Sequence, residues 1–217
     1  MGYYINDRST SLDDLRTRLE ATDLIPSHRP LLDGAAKKLG ALKKVEVKTV
    51  ADLRARLKSK KSLASLADDS GIDEDYLVLL RRAVEGFFPK PQPLKEFDWV
   101  EGEIIVKLEQ SGVKNTRQLY EVASSDPNSF AESAGLGSGD LLGITALADL
   151  SRVQWVSPTF ARTLVAAGFT SARAVHQANP ETLYEAVLQA NKKDCYYKGK
   201  VGLRDIKRLI VAAGYVP

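Results

Sequence analysis

Cysteine, histidine and methionine are nearly missing from this chain. Its 217 residues include one cysteine, one methionine and two histidines. A lone Cys195 excludes an internal disulfide framework and fits a reducing cytoplasm. His28, His176 and that thiol are too few for a zinc site, and no local Cys/His nucleophile pair exists. No run reaches the roughly 18 apolar residues of a membrane span. The opening residues, Met1 to Arg8, lack the apolar core of a signal peptide. No P-loop, dinucleotide fingerprint or serine elbow occurs. These absences predict a non-enzyme with no catalytic residue, no metal, no cofactor and no membrane contact.

What remains is a globular composition, 44% apolar and 27% charged, long enough for one or two domains. The formal charge of +3 hides an asymmetry. Residues 1–90 carry 17 basic against 14 acidic side chains, residues 91–150 carry 4 against 10, and residues 151–217 carry 10 against 4. Within the first part, residues 35–61 hold ten basic residues and two acidic ones, Glu46 and Asp52. Such clusters are either solvated helix faces or the footprint of a polyanion site.

The patterning is helical. Ser11 precedes Leu12, Leu15 and Leu19, with Asp14 three residues on, which predicts a capped amphipathic helix. Ser27 to Pro30 predicts a second helix reaching about Lys44. Thr49, Ser62 and Asp73 mark the next three starts. Asp126-Pro127, Ser157-Pro158 and Asn179-Pro180 each pair a cap with proline at the first helical position, and Ser138 and Ser171 read as further caps. Pro89, Pro91 and Pro93 predict an extended linker. No segment alternates with period two, so the expected fold is all-α with essentially no sheet.

An internal repeat runs through this pattern. Trp99-Val100 recurs as Trp155-Val156. Leu108, Gly112, Val113 and Leu119 correspond to Leu164, Gly168, Phe169 and Val175. Leu42, Val47 and Leu53 match the first set more weakly. A second half-repeat relates Ile72, Leu77 and Leu80 to Leu136, Leu141 and Ile144, and then to Val201, Ile206 and Leu209. The expected organisation is an N-terminal helical extension (1–30), a basic unit (31–88), a proline-rich linker (89–96), an acidic unit (97–150) and a second basic unit (151–217). Gly112 and Gly168 are expected in left-handed backbone, each followed by an apolar side chain that plugs a helix junction.

Glycine-apolar-glycine turns between paired helices, best seen in Gly135-Leu136-Gly137, resemble tandem helix-hairpin-helix domains. The chain as a whole resembles an uncharacterised bacterial family of domains of unknown function with helix-hairpin-helix character. Where helix-hairpin-helix proteins bind DNA, glycines let the backbone approach a phosphate, and amide groups opening the second helix donate to it. Such contacts carry no sequence information.

The hairpins differ in how well they meet that requirement. Glu132 and Asp140 flank Gly135 to Gly139 with negative charge. Phe97 to Glu101 lacks glycines and carries two carboxylates. Gln154 to Pro158 offers hydroxyls at Ser157 and Thr159, with Arg162 one turn on. The best chemical match combines Lys198, Gly199, Lys200, Gly202 and Arg204 with Lys192 and Lys193, beside Tyr196-Tyr197. Trp99 and Trp155, at equivalent repeat positions, are expected in the core. His28, His176 and the Asp68-Asp69 and Asp73-Glu74-Asp75 groups read as structural. The expected function is sequence-nonspecific binding of DNA or another nucleic acid through these basic surfaces. The alternative is a helical scaffold for a protein partner.

Overall fold

A computed structural model describes residues 2–217. Among the described residues the chain is all-α, with no strand and only two isolated bridges, Ser11 with Thr49 and Pro93 with Asn115. It divides into two compact units. One holds Ile5–Phe88; the other holds Pro89–Pro217 together with Tyr3 and Tyr4.

The first unit contains α1 (Leu12–Ala21), a 3-10 turn (Pro26–Leu31), α2 (Ala35–Lys44), α3 (Val50–Leu57), α4 (Lys60–Ser70) and α5 (Glu74–Glu85). Leu12, Leu15 and Leu19 of α1 join Leu42, Leu53, Leu66 and Leu80 in its core, so the segment expected as an extension is part of this body. The helix expected from Ser27 to Lys44 is interrupted. Pro30 sits inside the 3-10 turn, and Gly34 at φ 66° redirects the backbone before α2 starts. Likewise α4 is capped by Ser59, whose hydroxyl accepts from the Ser62 amide, one turn earlier than expected.

The second unit contains a short 3-10 turn (Leu94–Glu96) and eight helices among the described residues: α6 (Gly102–Gln110), α7 (Thr116–Ser125), α8 (Pro127–Ala134), α9 (Ser138–Ser151), α10 (Pro158–Ala166), α11 (Ala172–His176), α12 (Pro180–Asp194) and α13 (Leu203–Ala213). One continuous core runs through them, from Leu108 and Leu119 through Leu141 and Leu164 to Ile206 and Leu209. Tyr3 belongs to it: the side chain is 2% exposed and its hydroxyl shares a 2.8 Å hydrogen bond with Thr116. The neighbouring Tyr4 hydroxyl donates to the Pro89 carbonyl.

One turn geometry recurs three times with a buried leucine as its acceptor. Gly112 and Gly168 have φ of 82° and 89°, as their sequence context predicts, and Glu46 occupies the equivalent place at φ 62°. In each case the following amide reaches back to a buried leucine carbonyl: Val47 to Leu42 (3.1 Å), Val113 to Leu108 (2.9 Å) and Phe169 to Leu164 (2.9 Å). This bond satisfies an orphan carbonyl and drives the apolar side chain into the junction. The next helix is then capped by Thr49, Asn115 or Ser171 through the side-chain oxygen. Beside the first two caps, an incoming segment pairs with the backbone: Leu12 donates to Lys48 and Val50 to Thr10, while Leu94 donates to Lys114 and Thr116 to Gln92.

Glu46 is a non-glycine residue in left-handed backbone, which costs roughly 1–2 kcal/mol for an L-residue. Glu46→Gly is therefore expected to raise the urea midpoint of the first unit. Gly112→Val and Gly168→Val are expected to lower that of the second, each by at least about 1–2 kcal/mol. A second expectation concerns alkaline pH. Burial pushes the Tyr3 phenol up from 10.0 to about 12. The neutral form is favoured in the fold, so its contribution is complete below pH 10 and is lost as pH rises toward 12, about 2–3 kcal/mol in all. Tyr3→Phe should flatten this loss between pH 10 and 12 while costing about 1 kcal/mol at neutral pH through the missing hydrogen bond. Denaturant titrations at several pH values check both effects.

Candidate nucleic-acid interface

The loops that join successive helices differ in length. Between α4 and α5 the loop is Gly71, Ile72 and Asp73, and between α8 and α9 it is Gly135, Leu136 and Gly137. Gly71 and Gly135 close the preceding helix in left-handed backbone at φ 66° and 62°. Between α12 and α13 the loop extends from Cys195 to Gly202; Lys198 and Lys200 sit on it, and Lys192 and Lys193 lie in the α12 turn before it. Cys195 takes the left-handed position at φ 49°, its amide bonded to the Asn191 carbonyl at 2.8 Å. Asn191 then clamps the loop: its side chain donates to the Tyr197 carbonyl (2.7 Å) and accepts from the Tyr197 amide (2.8 Å).

The glycines of this loop have a different task from the one expected. Neither has positive φ. A Cβ on Gly199 would fall 2.5 Å from the Tyr197 ring, so Gly199 makes room for an aromatic that packs 5.0 Å from Phe160. Gly202 caps α13, and its amide donates to the Asp205 carboxylate at 3.0 Å. A carboxylate of the chain thus already sits at the amide end of this helix, where an incoming phosphate would go. The α8–α9 loop has a similar arrangement, since a Cβ on Gly137 would meet the Asp140 carboxylate at 2.9 Å.

Charge is deployed more openly. Lys192, Lys193, Lys198 and Lys200 are all exposed, and none joins an ion pair among the described residues. Arg204 is exposed on the first turn of α13. The basic run 35–61 is different. Lys43 pairs with Asp13, Lys48 with Glu46, Arg54 with Asp7 and Arg56 with Asp69, while Lys38 lies 3.8 Å from the centre of the Tyr76 ring. Four of its ten cations are thereby neutralised locally, and Lys37, Lys44, Lys58, Lys60 and Lys61 remain.

Trp155 departs from expectation. It is 48% exposed rather than in the core, and its backbone is left-handed at φ 70°. That conformation turns the indole outward while Val153 and Val156 on either side stay buried. Trp155, Phe160 and Tyr197 line a hollow of about 200 Å³ with Lys200, Val201 and Arg208. The loop before α10 and the loop before α13 therefore meet here. Arg208 lies 4.3 Å from the Trp155 ring centre and 3.9 Å from Asp205. Nearby on α10, Arg162 stacks on both Trp99 (4.8 Å) and Tyr196 (4.1 Å). The sequence signalled the lysines and Tyr196, but nothing local marked Arg208 or Trp99 as neighbours of this surface.

Among the described residues no group of histidine, cysteine, aspartate and glutamate side chains could hold a metal ion, and no helix is long and apolar enough to cross a membrane. No curated protein and no solved structure matches the chain. A family model described as Domain of unknown function (DUF4332) matches residues 103–215, more than half of the chain, and the protein belongs to that family.

Proposed function

We propose that the protein binds nucleic acid without sequence preference, through the α12–α13 loop and the outward-facing Trp155. The observation that carries this reading is four exposed lysines with no carboxylate partner, Lys192 and Lys193 in the last turn of α12 and Lys198 and Lys200 on the loop that shares a hollow with an exposed indole. Lysines that approach phosphates release condensed counterions and supply affinity indifferent to sequence. An indole supplies a stacking platform, which favours single-stranded segments because every base has a π-face. Asp205 occupies the Gly202 amide, so side-chain cations rather than helix-end amides do the gripping. Lys198, Lys200, Lys192 and Lys193 are the primary contacts, with Arg204 at the edge; Gly199 and Gly202 shape the loop. The exposed free thiol of Cys195 is compatible with work in a reducing bacterial cytoplasm.

The test is a salt titration of binding to random duplex and single-stranded DNA. Affinity should fall steeply with salt, and Lys198→Glu with Lys200→Glu should reduce the slope on duplex by about 0.9 for each phosphate that is no longer neutralised. Trp155→Ala should weaken single-strand binding by about 1–3 kcal/mol and duplex binding less. Undetectable binding at low salt would reject the proposal in favour of a protein-docking scaffold. Binding indifferent to all three changes would move the interface elsewhere, with residues 37–61 as the next place to look.

A further inference from the structure

A second feature of the Pro89–Pro217 unit lies outside the lysine loop. A cleft of about 750 Å³ opens beside α9, walled by α7, α11 and the end of α13. Its volume falls within the roughly 300–1,000 Å³ of small-molecule sites. Helix α9 is apolar on nearly all sides, a pattern that calls for burial all round. Ile144, Leu147 and Ala148 are buried, yet Leu142, on the cleft side, is 69% exposed. Gly143 also faces the cleft, and a Cβ there would meet nothing within 4 Å. Glycine inside a helix costs about 1 kcal/mol relative to alanine, and no packing at this position requires it. Its effect is to keep the cleft open.

The polar groups of the cleft are short of acceptors. Thr145, Asp149 and Arg152 follow one another at spacings of four and three along the same side of the chain. Asp149 is fully used: one oxygen accepts from Arg152 Nε at 2.6 Å and the other from the Ala172 amide at 2.7 Å. Arg152 is 5% exposed, lies 4.3 Å from the centre of the Tyr120 ring and spends only Nε on that pair; its Nη1 has no hydrogen-bond partner, and neither has the Thr145 hydroxyl. Buried donors left unmade are costly and call for a partner. At the rim Arg173 is exposed and joins no ion pair among the described residues.

We propose that this cleft binds a small monocarboxylate with an apolar body. The orphan donors of Arg152 and Thr145 are closed to solvent before the ligand arrives, so small shifts of these two side chains bring them onto the carboxylate, and Arg173 adds attraction at the entrance. The apolar body covers Leu142 and the Val165 and Ala213 walls. A single charge fits better than a dianion, because Asp149 already offsets the charge of Arg152 and most of the exposed lining surface is apolar.

The probe is decanoate, kept below its micellar concentration and titrated into the full chain by calorimetry and by amide chemical shifts. Uncharged decan-1-ol is the control. Decanoate should move the amides of α9 and α11 and bind about tenfold more tightly than decanol, the value of one charge-assisted hydrogen bond. Gly143→Phe, which fills the cleft, should abolish binding. Thr145→Val, which removes one donor at nearly constant volume, should weaken it about threefold to tenfold. Circular dichroism checks that each variant is folded; should the phenylalanine variant misfold, the valine variant carries the test alone. Absence of decanoate binding, decanol binding equally well, or binding unchanged in the folded variants would overturn the proposal. DNA binding is a separate readout, so either proposal fails without the other.

Discussion

A single backbone hydrogen bond organises both units: the amide after a left-handed residue returning to a leucine carbonyl five residues earlier. It joins Val47 to Leu42, Val113 to Leu108 and Phe169 to Leu164. The bond reverses the chain, turns the side chain that follows toward the core, and places a capping residue at the start of the next helix. In the first two cases the reversed segment also offers free backbone groups to an incoming strand-like stretch, which is how α1 and the Leu94–Glu96 turn are held. Two of the three left-handed residues are glycines; Glu46 holds the position against its own preference because Leu42 and Val47 are buried on either side of it.

Much of this was legible in the sequence, because the signals were local. Ser11, Thr49, Asp73 and Asn179 all cap as their spacing predicts, and Gly112 and Gly168 are left-handed as required. Local signals mislead where two of them compete. Ser27 looks like a helix start, but Pro30 and Gly34 prevent a continuous helix, so α2 begins only at Ala35. The exposed lysines around residues 192–200 were readable from composition. Trp155 was not: a tryptophan with one valine two residues before it and another directly after reads as core, and only an unusual backbone torsion turns it outward. The partners of Asp149 and Arg152 were equally hidden, since Ala172 and Tyr120 are distant in sequence and only packing brings them close.

Electrostatics divides the two basic stretches in a way that counting charges cannot. The run 35–61 is denser, yet Asp7, Asp13, Glu46 and Asp69 pair with four of its cations. Surface pairs of this kind add little stability, but they do reduce the field available to an outside polyanion. The α12–α13 loop has fewer cations and leaves its lysines unpaired. The carboxylate of Asp205 at the start of α13 then sets the division of labour: the helix end is satisfied internally, and the side chains face outward.

Tyr3 lies 113 residues from its partner Thr116, and between them Ile5–Phe88 forms a body of its own. That order has a kinetic meaning. During synthesis the intervening residues can collapse while Tyr3 still has nothing to dock against, because residue 116 has yet to emerge. The aromatic must wait in solvent and then close a very long loop, an event slowed by chain entropy. The second core is therefore sealed late, by a segment that left the ribosome long before the pocket it fills.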